Sequence, residues 1–459
     1  MRIQTITKGA GMIIAAGAVF RANATSCLRL FLTVSVVLIG FITCFITTSI
    51  GQAREIPEEL STLITEAMEN NQELRSLEEK VQALEAEAPA AGSLQDPMVG
   101  IALANVPTDS FDLDQEAMTQ KQLFVSQRFP WFGTLALTEQ IAMLKALEQA
   151  KMLEAKRLNI ARQVAETWYD LLFLEQNLEQ NARLTAIITQ ILQVTETRYS
   201  TGIGLQQDIL AAQVQLSELI EEDVAINGKR RLLSDRLGAL LNRTDFYYQS
   251  SIELTMPEMP IPSGETLAAK ALYSSPLLEA QRVVIDRSRM EVDLAKKDYM
   301  PNIDVRLSYG QRDDNPLNGD DRADLVSAGV TFSVPLWHNT KQDNKFVAAM
   351  RRLAAAEKGL KGLELSLPHK IDGILAEIES ARENYKLFSE VLFFQAQQLA
   401  DSSLAAYSVG KLEFNSMLSA RLRLERIELK SEKFKFEMYK KLAELEETVG
   451  SPLTFAEEN

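Results

Sequence analysis

"RYSTGIGLQQDIL", Arg198 to Leu210, and "AYSVGKLEFNSML", Ala406 to Leu418, each set a Tyr-Ser-x-Gly in otherwise glycine-poor, helix-like sequence. Tyr199 and Gly202 precede Tyr407 and Gly410 by 208 residues. Beyond each glycine the apolar positions keep step, Leu210 with Leu418, Ala212 with Ala420 and Leu216 with Leu424. Upstream, Pro130 in "SQRFPWFGT" matches Pro335 in "FSVPLWHNT" at an offset of 205. Pro97 in "QDPMVGIAL" matches Pro301 in "YMPNIDVRLSYG" at 204. Three landmarks in one order mark a tandem duplication whose unit, slightly over 200 residues, far exceeds the period of a solenoid. The expected organisation is a leader at 1–53, a first repeat at 54–255, a Pro-rich linker at 256–265 ("MPEMPIPSGE") and a second repeat at 266–459.

Within each repeat the hydrophobic period changes. Thr134 to Thr201 is 68 residues without Gly or Pro, rich in Ala, Leu, Glu, Gln and Lys, which is strong helix composition. Unbroken, it would run roughly 100 Å at 1.5 Å per residue. The second repeat predicts helices over Ile374–Val409 and Lys411–Val449, with Pro368, Gly359, Gly362 and Gly373 breaking the rod between Trp337 and Ile374. Helices of this length outrun a single globular core and must pack side by side as rods.

The segments at about 97–129 and 301–334 alternate with period two. Ile303, Val305, Leu307 and Tyr309 alternate with polar neighbours, as do Val326, Ala328, Val330, Phe332 and Val334. Val99, Ile101 and Leu103 repeat the pattern more weakly, with Leu123, Val125 and Phe129. Each repeat therefore predicts one β-hairpin, closed by an acidic loop. Strand length and a single apolar face suit a membrane strand, and Phe129, Trp131, Phe132, Tyr299 and Trp337 at the strand ends suit an interfacial girdle. Soluble hairpins packed on the helices are the other reading. In lipid a sheet must close on itself, and four strands per chain cannot. Membrane strands would thus require several chains to share one barrel.

The leader carries Arg2, Lys8, Arg21 and Arg29 and no acidic residue, then an apolar run from Leu30 to Ile50 and a small-x-Ala site at Gly51–Ala53. That is the plan of a secretory signal peptide, although the run could also span a bilayer as an uncleaved anchor. Cleavage would remove Cys27 and Cys44, the sole thiols, and take the formal net charge from −15 to −19. A chain this acidic repels phosphate backbones, so nucleic acid is not an expected partner. His338 and His369 have no ligand-spaced companion, and "DSFDLDQE" lacks the central Gly and terminal Glu of a calcium loop. No nucleophile elbow, phosphate loop or dinucleotide fingerprint follows residue 53. No catalytic, cofactor or metal site is expected, and Met98 and Met118 read as gap-filling residues.

The doubled helix–hairpin–helix plan, the twin Tyr-x-x-Gly turns and "MTQKQLFVSQRFPWFGTL" together resemble the TolC-type outer membrane efflux proteins, with the last segment similar to metal-efflux-type members. The resemblance spans 54–459. It implies an α+β fold of mainly long α-helices, a helical-barrel tunnel continued by a membrane β-barrel shared between protomers. It implies a homotrimer in outer membrane lipid, working with a periplasmic adaptor and an inner-membrane pump of the RND type as a passive exit duct for drugs or metal ions. The two turns then correspond to the periplasmic tips, with Tyr199, Gly202, Asp208, Tyr407, Gly410, Ser416 and Ser419 as adaptor-contact or gate residues. Ser416 and Ser419 stand where some members carry acidic constriction residues, which counts against an aspartate-ring gate. The rival expectation is a coiled-coil scaffold held by an uncleaved N-terminal helix.

Overall fold

The computed structural model describes residues 52–53, 57–248, 252, 254, 261–317 and 319–455. The leader expected at 1–53 lies outside these residues except for Gln52 and Ala53, as does the first half of the 256–265 linker. Gln52 and Ala53 pair antiparallel with Phe455 and Thr454 in a small unit of their own. The large unit comprises Ile56–Pro257 and Pro262–Pro452.

In the large unit the duplication is visible element by element. The first repeat runs α1 (Glu58–Asn70), α2 (Gln72–Ala91), β1 (Met98–Ala104), β2 (Gln120–Phe129), α3 (Thr134–Ser200) and α4 (Gln206–Leu241). The second runs α5 (Gly264–Ser274), α6 (Pro276–Lys297), β3 (Ile303–Gln311), β4 (Leu325–Phe332), α7 (Gln342–Lys386), a π-helical turn at Leu387–Leu392, α8 (Phe393–Ser408) and α9 (Phe414–Val449). Both α4 and α9 are 36 residues long. The continuous helical run from Gln342 to Ser408 equals the 67-residue α3 in length.

Local chemistry sets the helix starts. Asn71 caps α2 by accepting from the Glu73 and Leu74 backbone N–H groups. The Ser263 hydroxyl accepts from Thr266 N–H at the start of α5, and Pro276 opens α6 at a position whose N–H would be orphaned anyway. The core gathers midway along α3, where Trp168, Tyr169, Leu171 and Leu172 are fully buried. They pack on Leu60, Ala67 and Leu74 of α1 and α2, Leu237 and Leu241 of α4, and Phe436 and Tyr439 of α9. Tyr169 and Tyr439 stack with ring centroids 5.0 Å apart.

The expected break at Pro368 does not occur, because α7 runs straight through it. A proline inside a helix costs about 3 kcal/mol. Ile371, Ile374 and Ile378 are each at least 96% buried on one face of α7, and each contributes about 2 kcal/mol by burial. The glycines are not breakers either. A Cβ on Gly359 would lie 3.1 Å from Gln281 Nε2 of α6, whose amide donates to Ala356 C=O. Close packing of α6 on α7 thus accounts for Gly359.

The strands form one antiparallel sheet in the order β1-β2-β3-β4. The β2–β3 pairing joins the two repeats, with Leu123 opposite Tyr309 and Val125 opposite Leu307. Residues directly opposed share a face, so the register collects Val99, Ile101, Leu123, Val125, Leu307 and Val330 on one side. These side chains are exposed, Ile101 at 85%. Val334, expected to extend β4, lies beyond the end of that strand. No described helix is long and apolar enough to cross a membrane.

Candidate functional site

Each Tyr-x-x-Gly turn reverses one long helix into the next. After α3, Gly202 takes φ 77° and its N–H donates to Tyr199 C=O at 2.9 Å, while Ile203 N–H donates to Arg198 C=O. After α8, Gly410 takes φ 74°, its N–H donates to Tyr407 C=O at 3.0 Å, and Lys411 N–H donates to Ala406 C=O. Both turns are Schellman motifs, and the tyrosine supplies the same carbonyl in each. A Cβ at either glycine would meet nothing within 4 Å, so the requirement for glycine is conformational rather than steric.

The two tyrosine side chains part company. Tyr407 is 7% exposed and Tyr199 is 48% exposed. Tyr407 packs edge-on against Phe414, centroids 5.7 Å apart, and the Arg198 guanidinium lies 4.8 Å above its ring. Arg198 Nη1 also donates to Tyr407 C=O at 3.4 Å. Burial pushes the Tyr407 hydroxyl above its ordinary pKa; Asp208 adds to that shift and Arg198 opposes it. Sequence reasoning missed Arg198 and Phe414 as the partners of Tyr407. The signal was present in the alignment of the turns, because the position 208 residues after Arg198 is Ala406, and Gln206 stands where the second turn has Phe414. Tyr199 has neither partner.

Of the other residues expected at the tips, Asp208 is half-buried in the first turn of α4, while Ser416 and Ser419 are exposed on α9. Beside Tyr407 a groove of about 610 Å³ is lined by Ile187, Ile191, Val194, Leu404 and Met417 among others.

At the strand–helix junctions, Trp131 and Phe132 form an edge-to-face pair at 5.7 Å just before α3. Phe132 and Trp337 are each 75% exposed, and Phe129 is exposed at the end of β2. Tyr299 differs from them. It is half-buried, and its hydroxyl donates to Asp343 Oδ1 at 2.5 Å, which ties the segment just after α6 to the start of α7. Among the described residues no group of three or more His, Cys, Asp or Glu could hold a metal ion. Met98 and Met118 are exposed, in β1 and in the loop ahead of β2.

The sequence behind this architecture matches the model of one family, described as "Outer membrane efflux protein", twice over, at residues 63–243 and 267–451. The chain belongs to the outer membrane efflux protein family. The two matched stretches fall within the two repeats, and the gap between them contains the Pro-rich linker. Among relatives of this outer membrane efflux protein, the outer membrane protein TolC of Vibrio cholerae is 22% identical over 383 residues, covering 80% of this chain and 85% of that one. The multidrug resistance outer membrane protein MdtQ of Escherichia coli O6:H1 is 22% identical over 402 residues, covering 80% and 78% respectively. Among solved structures, the outer membrane protein VceC of Vibrio cholerae shares the fold at a TM-score of 0.71 and 16% identity, over 86% of this chain and 96% of that one.

Proposed function

We propose that this outer membrane efflux protein is one protomer of a homotrimeric exit duct. Three copies, each contributing four strands, would close a twelve-stranded barrel in the outer membrane. The paired long helices would continue it as a tunnel across the periplasm. The observation that carries the reading is the sheet itself, which has one exposed apolar face and, among the described residues, leaves β1 and β4 unpaired on their outer edges. In hydrocarbon each unpaired backbone N–H or C=O costs several kcal/mol, so such a sheet is viable only when other copies complete it.

The duct performs no reaction. A periplasmic adaptor docks on the tips, and an inner-membrane pump of the RND type supplies the energy. Tyr407, clamped between Arg198 and Phe414, holds the two tip turns of one protomer together and acts as the gate contact. Likeness to a relative named for multidrug resistance supports organic solutes as cargo here.

The test is a gel shift with fractionation. Outer membranes extracted in mild detergent should yield a heat-sensitive band near three times the chain mass. A heat-insensitive monomer in another fraction would overturn the shared barrel.

A further inference from the structure

The register that places the apolar side chains on one face of the sheet places Gly100, Phe124, Ser126, Arg306, Ser308 and Gly329 on the other. If the apolar face meets lipid, this second face lines the lumen. Phe124 is the one aromatic ring among the described strand residues of that face, whose central positions are otherwise small or polar. Its neighbours explain how it is seated. A Cβ on Gly100 would come within 2.5 Å of Phe124 Cζ, so the ring lies across the glycine. The guanidinium carbon of Arg306 lies 3.8 Å from the ring centroid. Opposite Arg306 on β4 is Gly329, where a Cβ would meet nothing within 4 Å, so no side chain from that strand covers the cation.

The charges around Arg306 set it apart. Arg128 pairs with Asp304 on the same face at 3.0 Å, and Lys121 pairs with Asp313 at 2.8 Å. Among the described residues of the four strands, Arg306 is the one cation without a carboxylate partner. Stacking on an aromatic face holds a guanidinium in place without using its N–H groups. Those groups remain free to grip a carboxylate, sulfonate or phosphate in bidentate fashion.

We propose that Arg306, held on Phe124 over Gly100, is an anion-recognising element of the lumen wall, favouring passage of solutes that join an acidic group to an apolar or aromatic body. The proposal rests on the shared-barrel reading. In a trimer it places one such cation on each third of the wall, within an otherwise acidic protein.

The test measures the local field through a reporter thiol. In a C27S/C44S background, S327C puts a small exposed thiol on the same face, diagonal to Arg306. Isolated outer membranes would be treated with a sulfonate-bearing and a trimethylammonium-bearing methanethiosulfonate at about 0.01 M ionic strength, where screening extends to about 30 Å. Each rate would be divided by that of a free thiol. The expected result is a preference for the anionic reagent that falls about three-fold or more in R306Q and fades in 1 M salt. A reactive S327C whose reagent ratio ignores R306Q would overturn the role of Arg306 and leave the barrel standing. An unreactive S327C together with a reactive A328C, on the apolar face, would overturn the barrel orientation and the proposal with it.

Discussion

Glycine carries opposite consequences at different positions in this chain. Gly410 sits at φ 74° with open space around it, so G410A should destabilise by about 1–2 kcal/mol through backbone strain alone. Gly228 lies exposed in the middle of α4, also with nothing within 4 Å, and there G228A should stabilise by about 1 kcal/mol. Thermal denaturation of the detergent-extracted protein would read both, and equal signs would contradict the account of the turn. At Gly100 the consequence is steric. G100A should displace the Phe124 ring, and in the thiol assay it should weaken the anionic preference as R306Q does, while leaving the heat-sensitive band intact. The need for glycine in the turns was legible from the repeated Tyr-x-x-Gly. The unequal fates of Tyr199 and Tyr407 were only hinted at by the unmatched Arg198 and Phe414, because Arg198 reaches Tyr407 from a turn about two hundred residues away. Phe124 and Arg306 escaped notice for the same reason, since only the register brings them together.

Among the elements, α7 and its neighbours show where composition misleads. P368A should restore an intrahelical hydrogen bond and stabilise the protein by up to about 3 kcal/mol, detectable as a raised denaturation midpoint. The irregularity in this rod lies instead at Leu387–Leu392, a π turn that no Gly or Pro announces. Its one ring is in use, with Phe388 edge-on to Phe434 at 5.4 Å. Helix α9 carries a titratable test. Burial and the neighbouring Glu425 push the Glu428 carboxyl above its ordinary pKa, with Glu432 adding and Arg183 and Arg421 opposing. The folded state therefore favours the protonated form, giving stability that is full below the ordinary glutamate pKa and is lost as pH rises through the raised one. E428Q should raise the denaturation midpoint at pH 7 and gain little at pH 4. A gain of the same size at both pH values would show that charge is not the cause. The strands were legible because alternation with period two leaves one register that gathers most apolar side chains on one face, Phe124 being an exception.

At the scale of the molecule, the duplication could be read from three offsets between 204 and 208, since length is conserved where long helices must span the same distance twice. How the copies pack was not legible, because the contacts between repeats run through Trp168, Tyr169 and Tyr439, whose partners no periodicity reveals. The unpaired edges of β1 and β4 also bear on inheritance. If three copies share one barrel, as proposed, a cell carrying one sound gene and one whose product can pair at β1 but not at β4 would build most of its barrels with at least one faulty member. Such an allele would be dominant, and a null allele, which contributes no chain to any barrel, would be recessive.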